Sequence, residues 1–200
     1  GLAYLEGKED VNGGGLLTEL VTSLKVKELS QLCWFFWTLR QRDGKTDARA
    51  PLILGFWMKV TMQIRQSGKE VPELQSALGR LAAFISDLTP PVVDVWAIAA
   101  PHAHVKNHGS VLIEHLARLA LEFPTEVSTI FRAALSGFLP DYRKEDVVSC
   151  VTRLAKAGQV EEAEWICNFY AERGSTLLKD TYEALRAEQR TRNDSEMGSP

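Results

Sequence analysis

Several features that would place this chain in a common functional class are scarce or missing. Positive charge is not in excess: 23 Lys and Arg stand against 26 Asp and Glu, a formal net charge of -3 at pH 7, with a pI near 5.9. Proteins that grip phosphate backbones need a basic excess, so nucleic acid is a disfavoured partner. Cysteine is sparse. Cys33, Cys150 and Cys167 are far apart and sit in apolar contexts such as Leu32-Cys33-Trp34, which argues against a disulfide framework and for reduced thiols in a core. No apolar run reaches the roughly 18 residues that cross a bilayer, and no signal-type segment opens the chain. The expectation is a cytoplasmic protein with no membrane partner.

Catalytic signatures are also missing. Gly13-Gly14-Gly15 is followed by Leu16-Leu17 and lacks the lysine and hydroxyl with which a phosphate-cradling loop holds nucleotide and magnesium. No serine is flanked by glycines at a strand-to-helix turn, the setting of an activated nucleophile. No segment alternates apolar and polar residues long enough to make a strand, so a sheet has no raw material. These absences together predict a chain that is not an enzyme and carries no cofactor.

What the sequence does have is apolar residues, at 45% of its length, spaced by threes and fours. That period lines one face of an α-helix. Val127, Ile130, Phe131, Ala134, Leu135 and Phe138 are the clearest stripe, and Leu112, Leu116, Leu119 and Ala120 make the one before it. Pro124 between them suits the first turn of a new helix, so the two segments read as an antiparallel pair. Upstream, Leu74, Leu78, Leu81, Ile85 and Leu88 form a stripe ended by Thr89-Pro90-Pro91, and a shorter helix is expected from about Val92 to Ala100. Downstream, Val147, Val151, Leu154 and Ala155 share a face that ends at Gly158. Ala163, Ile166, Cys167 and Tyr170 form the return helix, closed by Gly174, and Ser175 can cap a last helix over about Thr176–Glu188.

Helices of this length joined by short Gly, Pro and polar turns predict an all-α fold. Stacked antiparallel hairpins, each burying its face on the next, make a right-handed α-solenoid of HEAT-like or tetratricopeptide-like form. Residues 1–15 read as a flexible N-terminal segment or linker, 16–188 as the helical-repeat domain and 189–200 as a disordered tail. The glycine-rich opening without a methionine reads as a piece cut from a longer chain.

Two clusters are candidates for function. His102, His104, His108 and His115 lie close together, but no carboxylate or thiolate stands at a standard zinc spacing, and Glu114-His115 is not the paired-histidine helix motif of zinc proteases. The reading is a polar loop with no metal. Four consecutive aromatics, Trp34-Phe35-Phe36-Trp37, point to every side of a helix, and Phe56-Trp57-Met58 repeats the feature. Trp34, Phe35, Trp37, Phe56 and Trp57 therefore read either as a central core or as a protein-contact surface, since aromatics are enriched in both. Arg40, Arg42, Lys45 and Arg49 are diluted by Asp43 and Asp47 and read as a solvated loop.

Leu112-Ile113-Glu114-His115-Leu116-Ala117-Arg118-Leu119, Phe123-Pro124-Thr125-Glu126-Val127, Leu139-Pro140-Asp141-Tyr142 and Ile166-Cys167-Asn168-Phe169-Tyr170 with Arg173-Gly174 form one suggestive series. It resembles the C-terminal helical region of large bacterial proteins, often with sirtuin-like or nucleotide-hydrolysing domains upstream and implicated in antiphage defence. The resemblance covers about a third of the chain and implies a sensor or scaffold arm whose catalytic domain lies elsewhere, with protein partners or the parent's own domains as its contacts. The stretch from Leu154 to Ala163, continuing to Gly174, also resembles one tetratricopeptide or pentatricopeptide helix pair. An array of such pairs would imply an RNA-binding module, the alternative function, but only one unit is visible.

Overall fold

A computed structural model describes residues 23–25, 27–28, 31–32, 34–35, 88–102, 109–141 and 143–197. Six α-helices have described bounds: α1 Pro90–Ala99, α2 Gly109–Leu119, α3 Pro124–Gly137, α4 Lys144–Lys156, α5 Val160–Glu172 and α6 Lys179–Met197. A 3-10 turn, Ala100–His102, follows α1. Among the described residues there is no strand, so the all-α expectation holds there.

The chain divides into two compact units, residues 1–112 with 133–138, and residues 113–132 with 139–200. In the first, Leu88, Val92, Val95, Trp96, Ala99, Ala100, Leu112, Ala134 and Leu135 are buried. Helix α1 begins two residues earlier than the sequence predicts, because Pro90 and Pro91 occupy its first positions, where the missing N–H groups have no helical acceptor to lose. The end of α3 lies close against the turn after α1. A Cβ on Gly137 would overlap the Pro101 carbonyl oxygen and stand 2.5 Å from its carbonyl carbon, so only glycine fits.

The second unit is the better packed. Ile113, Leu116, Leu119 and Ala120 of α2 and its turn, and Val127, Ile130 and Phe131 of α3, are buried in its core. So are Val147, Cys150, Val151 and Leu154 of α4 and Ala163, Ile166, Cys167 and Tyr170 of α5. The two helix stops foreseen at glycine are both present. Gly158 has φ +92° and Gly174 φ +75°. At the first, Gln159 N–H donates to the Leu154 carbonyl and Gly158 N–H to Ala155; at the second, Ser175 N–H donates to Tyr170 and Gly174 N–H to Ala171. This is the paired closure that a left-handed residue after the helix permits. Ser175 Oγ then accepts from Leu177 N–H at 3.3 Å, just ahead of α6. That helix runs on to Met197, past the Glu188 at which the sequence reading ends it, over a polar stretch rich in strong helix formers such as Ala187, Glu188, Gln189 and Arg190.

Helix α4 packs on α5, α5 on α6, and α6 also touches α4. The Tyr170 hydroxyl of α5 donates to the Pro140 carbonyl at 2.6 Å, pinning the loop between α3 and α4 from inside the core. Arg153 Nη1 of α4 donates to the Ala117 carbonyl at 2.8 Å. That places a cation at the negative end of α2.

Candidate functional site

Of the aromatic residues singled out in the sequence, Trp34 and Phe35 fall among the described ones. Both are helical; Trp34 is 53% exposed and Phe35 half-buried. Trp37, Phe56 and Trp57 lie outside the described residues. Of the histidines, His102 closes the 3-10 turn and His115 is half-buried on α2, while His104 and His108 lie outside. Among the described residues no group of three or more His, Cys, Asp and Glu side chains is arranged to hold a metal ion.

The surface chemistry that the described structure does assemble is centred on α5. This helix uses three of its sides. One carries the core residues Ala163, Ile166, Cys167 and Tyr170. The next carries Trp165 and Phe169, one turn apart, with ring centroids 5.2 Å apart and planes inclined at 38°. Arg132 of α3 lies over the Trp165 ring, 3.9 Å from its centroid, and Arg173 over the Phe169 ring at 3.3 Å. The four side chains alternate cation, ring, ring, cation along a half-exposed ridge. Arg132 is held there by two bonds from Nη2 to the Glu162 carboxylate, 2.8 and 2.7 Å. Arg173 is steadied by donation to the Phe169 carbonyl at 3.3 Å. Guanidinium on an aromatic face is attractive electrostatically, about 0.5–1 kcal/mol at exposed sites. Aromatic and arginine side chains together are the composition of binding hot spots.

The third side of α5 faces α6 across a cleft of about 290 Å³, lined by Cys167, Asn168, Ala171, Leu178, Lys179 and Tyr182, among others. Arg186 closes one end. Its Nε and Nη2 donate to the Tyr182 hydroxyl at 3.1 and 2.9 Å, and Nε stands 3.3 Å from Glu164 Oε1 in an ion pair without hydrogen-bond alignment. The hydroxyl and then the carboxylate raise the Arg186 pKa above its ordinary value. Lys179, near the other end, is exposed and loosely paired with Glu183 at 3.9 Å.

Burial pushes the Cys150 thiol up to about 12, with Arg153 opposing and Asp146 adding to the shift. Cys167 reaches about 12 as well, by burial first and then by the Glu164 carboxylate. Thiols so far from ionising are poor nucleophiles and poor metal ligands, which fits core cysteines.

Arg132, Trp165, Phe169 and Arg173 were not singled out by sequence reasoning. The signal was the spacing of Trp165, Phe169 and Arg173, an apolar pair and a cation four apart, set one position off the core stripe. Arg132, thirty residues before Glu162, carried none.

No family model matches the chain, and neither a curated protein nor a solved structure is significantly similar to it. Among the described residues no helix is long and apolar enough to cross a membrane.

Proposed function

We propose that this chain is a non-enzymatic helical-repeat arm, a scaffold or sensor segment that makes protein contacts within a larger bacterial protein. The observation that carries the reading is the order of contacts in the second unit. Glu114 and Ala117 of α2 engage Arg143 and Arg153, at and within α4. Thr125 and Arg132 of α3 engage Gln159 and Glu162, at and within α5. Helix α6 packs on both α4 and α5. Helices that meet the next and the next but one are the contacts of stacked antiparallel hairpins, the α-solenoid of HEAT-like or tetratricopeptide-like proteins.

A solenoid exposes long ridges rather than an enclosed pocket, which supports binding over catalysis. The ridge Arg132-Trp165-Phe169-Arg173 supplies the kind of side chains such a surface uses. High-pKa buried thiols suit the reducing cytoplasm. The resemblance of the segment from Leu112 to Tyr182 to the helical arms of antiphage proteins supports a place in bacterial defence.

The test is cross-linking in bacterial cells that express the parent gene, comparing the native chain with Trp165→Ala and Arg173→Glu variants whose thermal melts match it. The reading expects one defined cross-linked protein or domain, lost with the variants. Retention on immobilised RNA that falls steeply as salt rises would instead mark a phosphate-binding module and overturn it.

A further inference from the structure

We propose that the cleft between α5 and α6 is a docking site for the C-terminal turns of an amphipathic helix from a partner protein. The inference rests on the scaffold reading and gives it a partner of defined chemistry. It starts from directions. Thr125 near the start of α3 meets Gln159 just before α5, and Arg132 further along meets Glu162, so α3 and α5 run parallel. Glu164 early in α5 meets Arg186 well into α6, while Ala171 and Gly174 late in α5 share the cleft with Leu178 and Lys179 at the start of α6. Helices α5 and α6 therefore run antiparallel. One side of α5 is taken by α3 and its core side by α4. The side carrying Asn168 and Ala171 lines the cleft, where a helix parallel to α5 continues the α3–α5 stacking interface by one more step.

Charge placement gives the same orientation independently. A helix parallel to α5 ends beside Gly174 and Lys179. Its C-terminal carbonyls, the negative end of its dipole, then meet the exposed Lys179 amino group and the N-terminal turn of α6, both positive. The opposite orientation would set positive end against positive end. Lys179 is the one charged residue among those lining the cleft, so the complementary feature is an acidic residue or free carboxylate at the end of the incoming helix.

Size limits what else fits. At about 290 Å³ the cleft is at or below the lower bound of small-molecule pockets, roughly 300–1,000 Å³. It offers Ala171, Leu178, Cys167 and the Tyr182 ring as apolar walls, and the Arg186–Glu164 pair bounds its length. That is room for a few aliphatic side chains spaced one turn apart, the footprint of a helix laid in a groove.

The experiment is selection from a displayed library of helical peptides of about 14 residues, some four turns, against the native chain and against Ala171→Trp, Asn168→Arg and Lys179→Glu variants. Ala171 and Asn168 are exposed, so a bulky or charged side chain there fills the cleft without entering the core, and matching melts verify folding. The proposal expects enriched peptides with aliphatic residues at positions i, i+4 and i+7 and Asp or Glu near the C-terminus. Ala171→Trp and Asn168→Arg should each weaken them by about tenfold or more, and Lys179→Glu should turn the selected C-terminal charge from acidic to basic. Three outcomes overturn it: no enrichment over an unrelated helical protein, enriched peptides retained equally by Ala171→Trp, or a self-association of the chain that Ala171→Trp abolishes. Peptides lost with Trp165→Ala but kept by Ala171→Trp would overturn the cleft proposal while leaving the scaffold reading standing.

Discussion

Replacing Gly137 by alanine adds a single methyl group, yet the structure gives it no place to go. The new Cβ would overlap the Pro101 carbonyl oxygen and stand 2.5 Å from its carbon and 2.7 Å from its Cα. Carbon–carbon contacts settle at about 3.5–4.0 Å, so one backbone segment must retreat by roughly 1 Å. The obstacle is main chain and cannot swing aside as a flexible side chain would. Overpacking of this kind costs about 1–3 kcal/mol. Against it stands the helix preference of alanine over glycine, at most about 1 kcal/mol and reduced at the last residue of α3. The expected balance is a loss of about 2 kcal/mol. In urea melts followed by circular dichroism, a slope of about 2 kcal/mol per molar turns that into a midpoint lower by roughly 1 M. Gly158 and Gly174 are the controls: nothing stands within 4 Å of a Cβ at either, but their φ values are +92° and +75°. Alanine there costs backbone strain of about 1–2 kcal/mol, and asparagine, which tolerates that conformation, recovers much of it. Asparagine at 137 recovers nothing. A Gly137→Ala midpoint at or above the native one, or rescue by asparagine, would refute the steric argument.

Phe131 is fully buried on α3, and Phe131→Ala should destabilise the fold by about 3–5 kcal/mol; a near-neutral urea melt would count against that helix facing a core. Tyr170→Phe keeps the ring and removes the donor to the buried Pro140 carbonyl. The expected cost is about 1–3 kcal/mol, accompanied by faster hydrogen exchange in the loop before α4, and an unchanged loop would sink the anchoring role. The Cys150 thiol, ordinarily near 9.0, stands at about 12 in the native state because burial resists its ionisation. Below pH 9 both states are protonated and it contributes no pH dependence. As pH rises from 9 toward 12 the unfolded state loses the proton that the native state keeps, so stability falls. The stability difference between the native chain and Cys150→Ala should therefore shrink above pH 9, and a difference flat in pH would contradict this.

The parts of the fold legible in the sequence were those set by local rules. The stripe from Val127 to Leu135 announced which side of α3 is buried, and five of its six residues are. Gly158 and Gly174 announced two helix ends because no other residue takes a positive φ so cheaply. Three things were not legible, each for want of a partner distant in the chain. Gly137 looked like one more helix stop, and its actual constraint, the approach of Pro101, is made by a turn thirty-six residues earlier. The Tyr170 hydroxyl could be foreseen to need an acceptor, but nothing local named Pro140. Trp165 and Phe169 fell one position off the core stripe and read as incidental until Arg132 was brought over them.

The off-stripe aromatics bear on function more than the core residues do. A helix in a two-layer fold needs one apolar stripe, and residues 163, 166, 167 and 170 already provide it for α5. Trp165 and Phe169 are additional to that need, and each is covered by a cation rather than by another apolar side chain. A guanidinium cover is exchangeable: it shields the ring while the ridge is bare and can slide to accept a carboxylate or a further ring when a partner arrives. The core side of α5 is closed by α4 and its ridge side is tied to α3 by Arg132, whereas the cleft side bears Ala171 and Asn168 with no helix upon them. Helix α5 is thus the element through which contacts on the ridge and in the cleft share one rigid support, and Ile166 and Tyr170, which touch neither surface, hold both in place from the core.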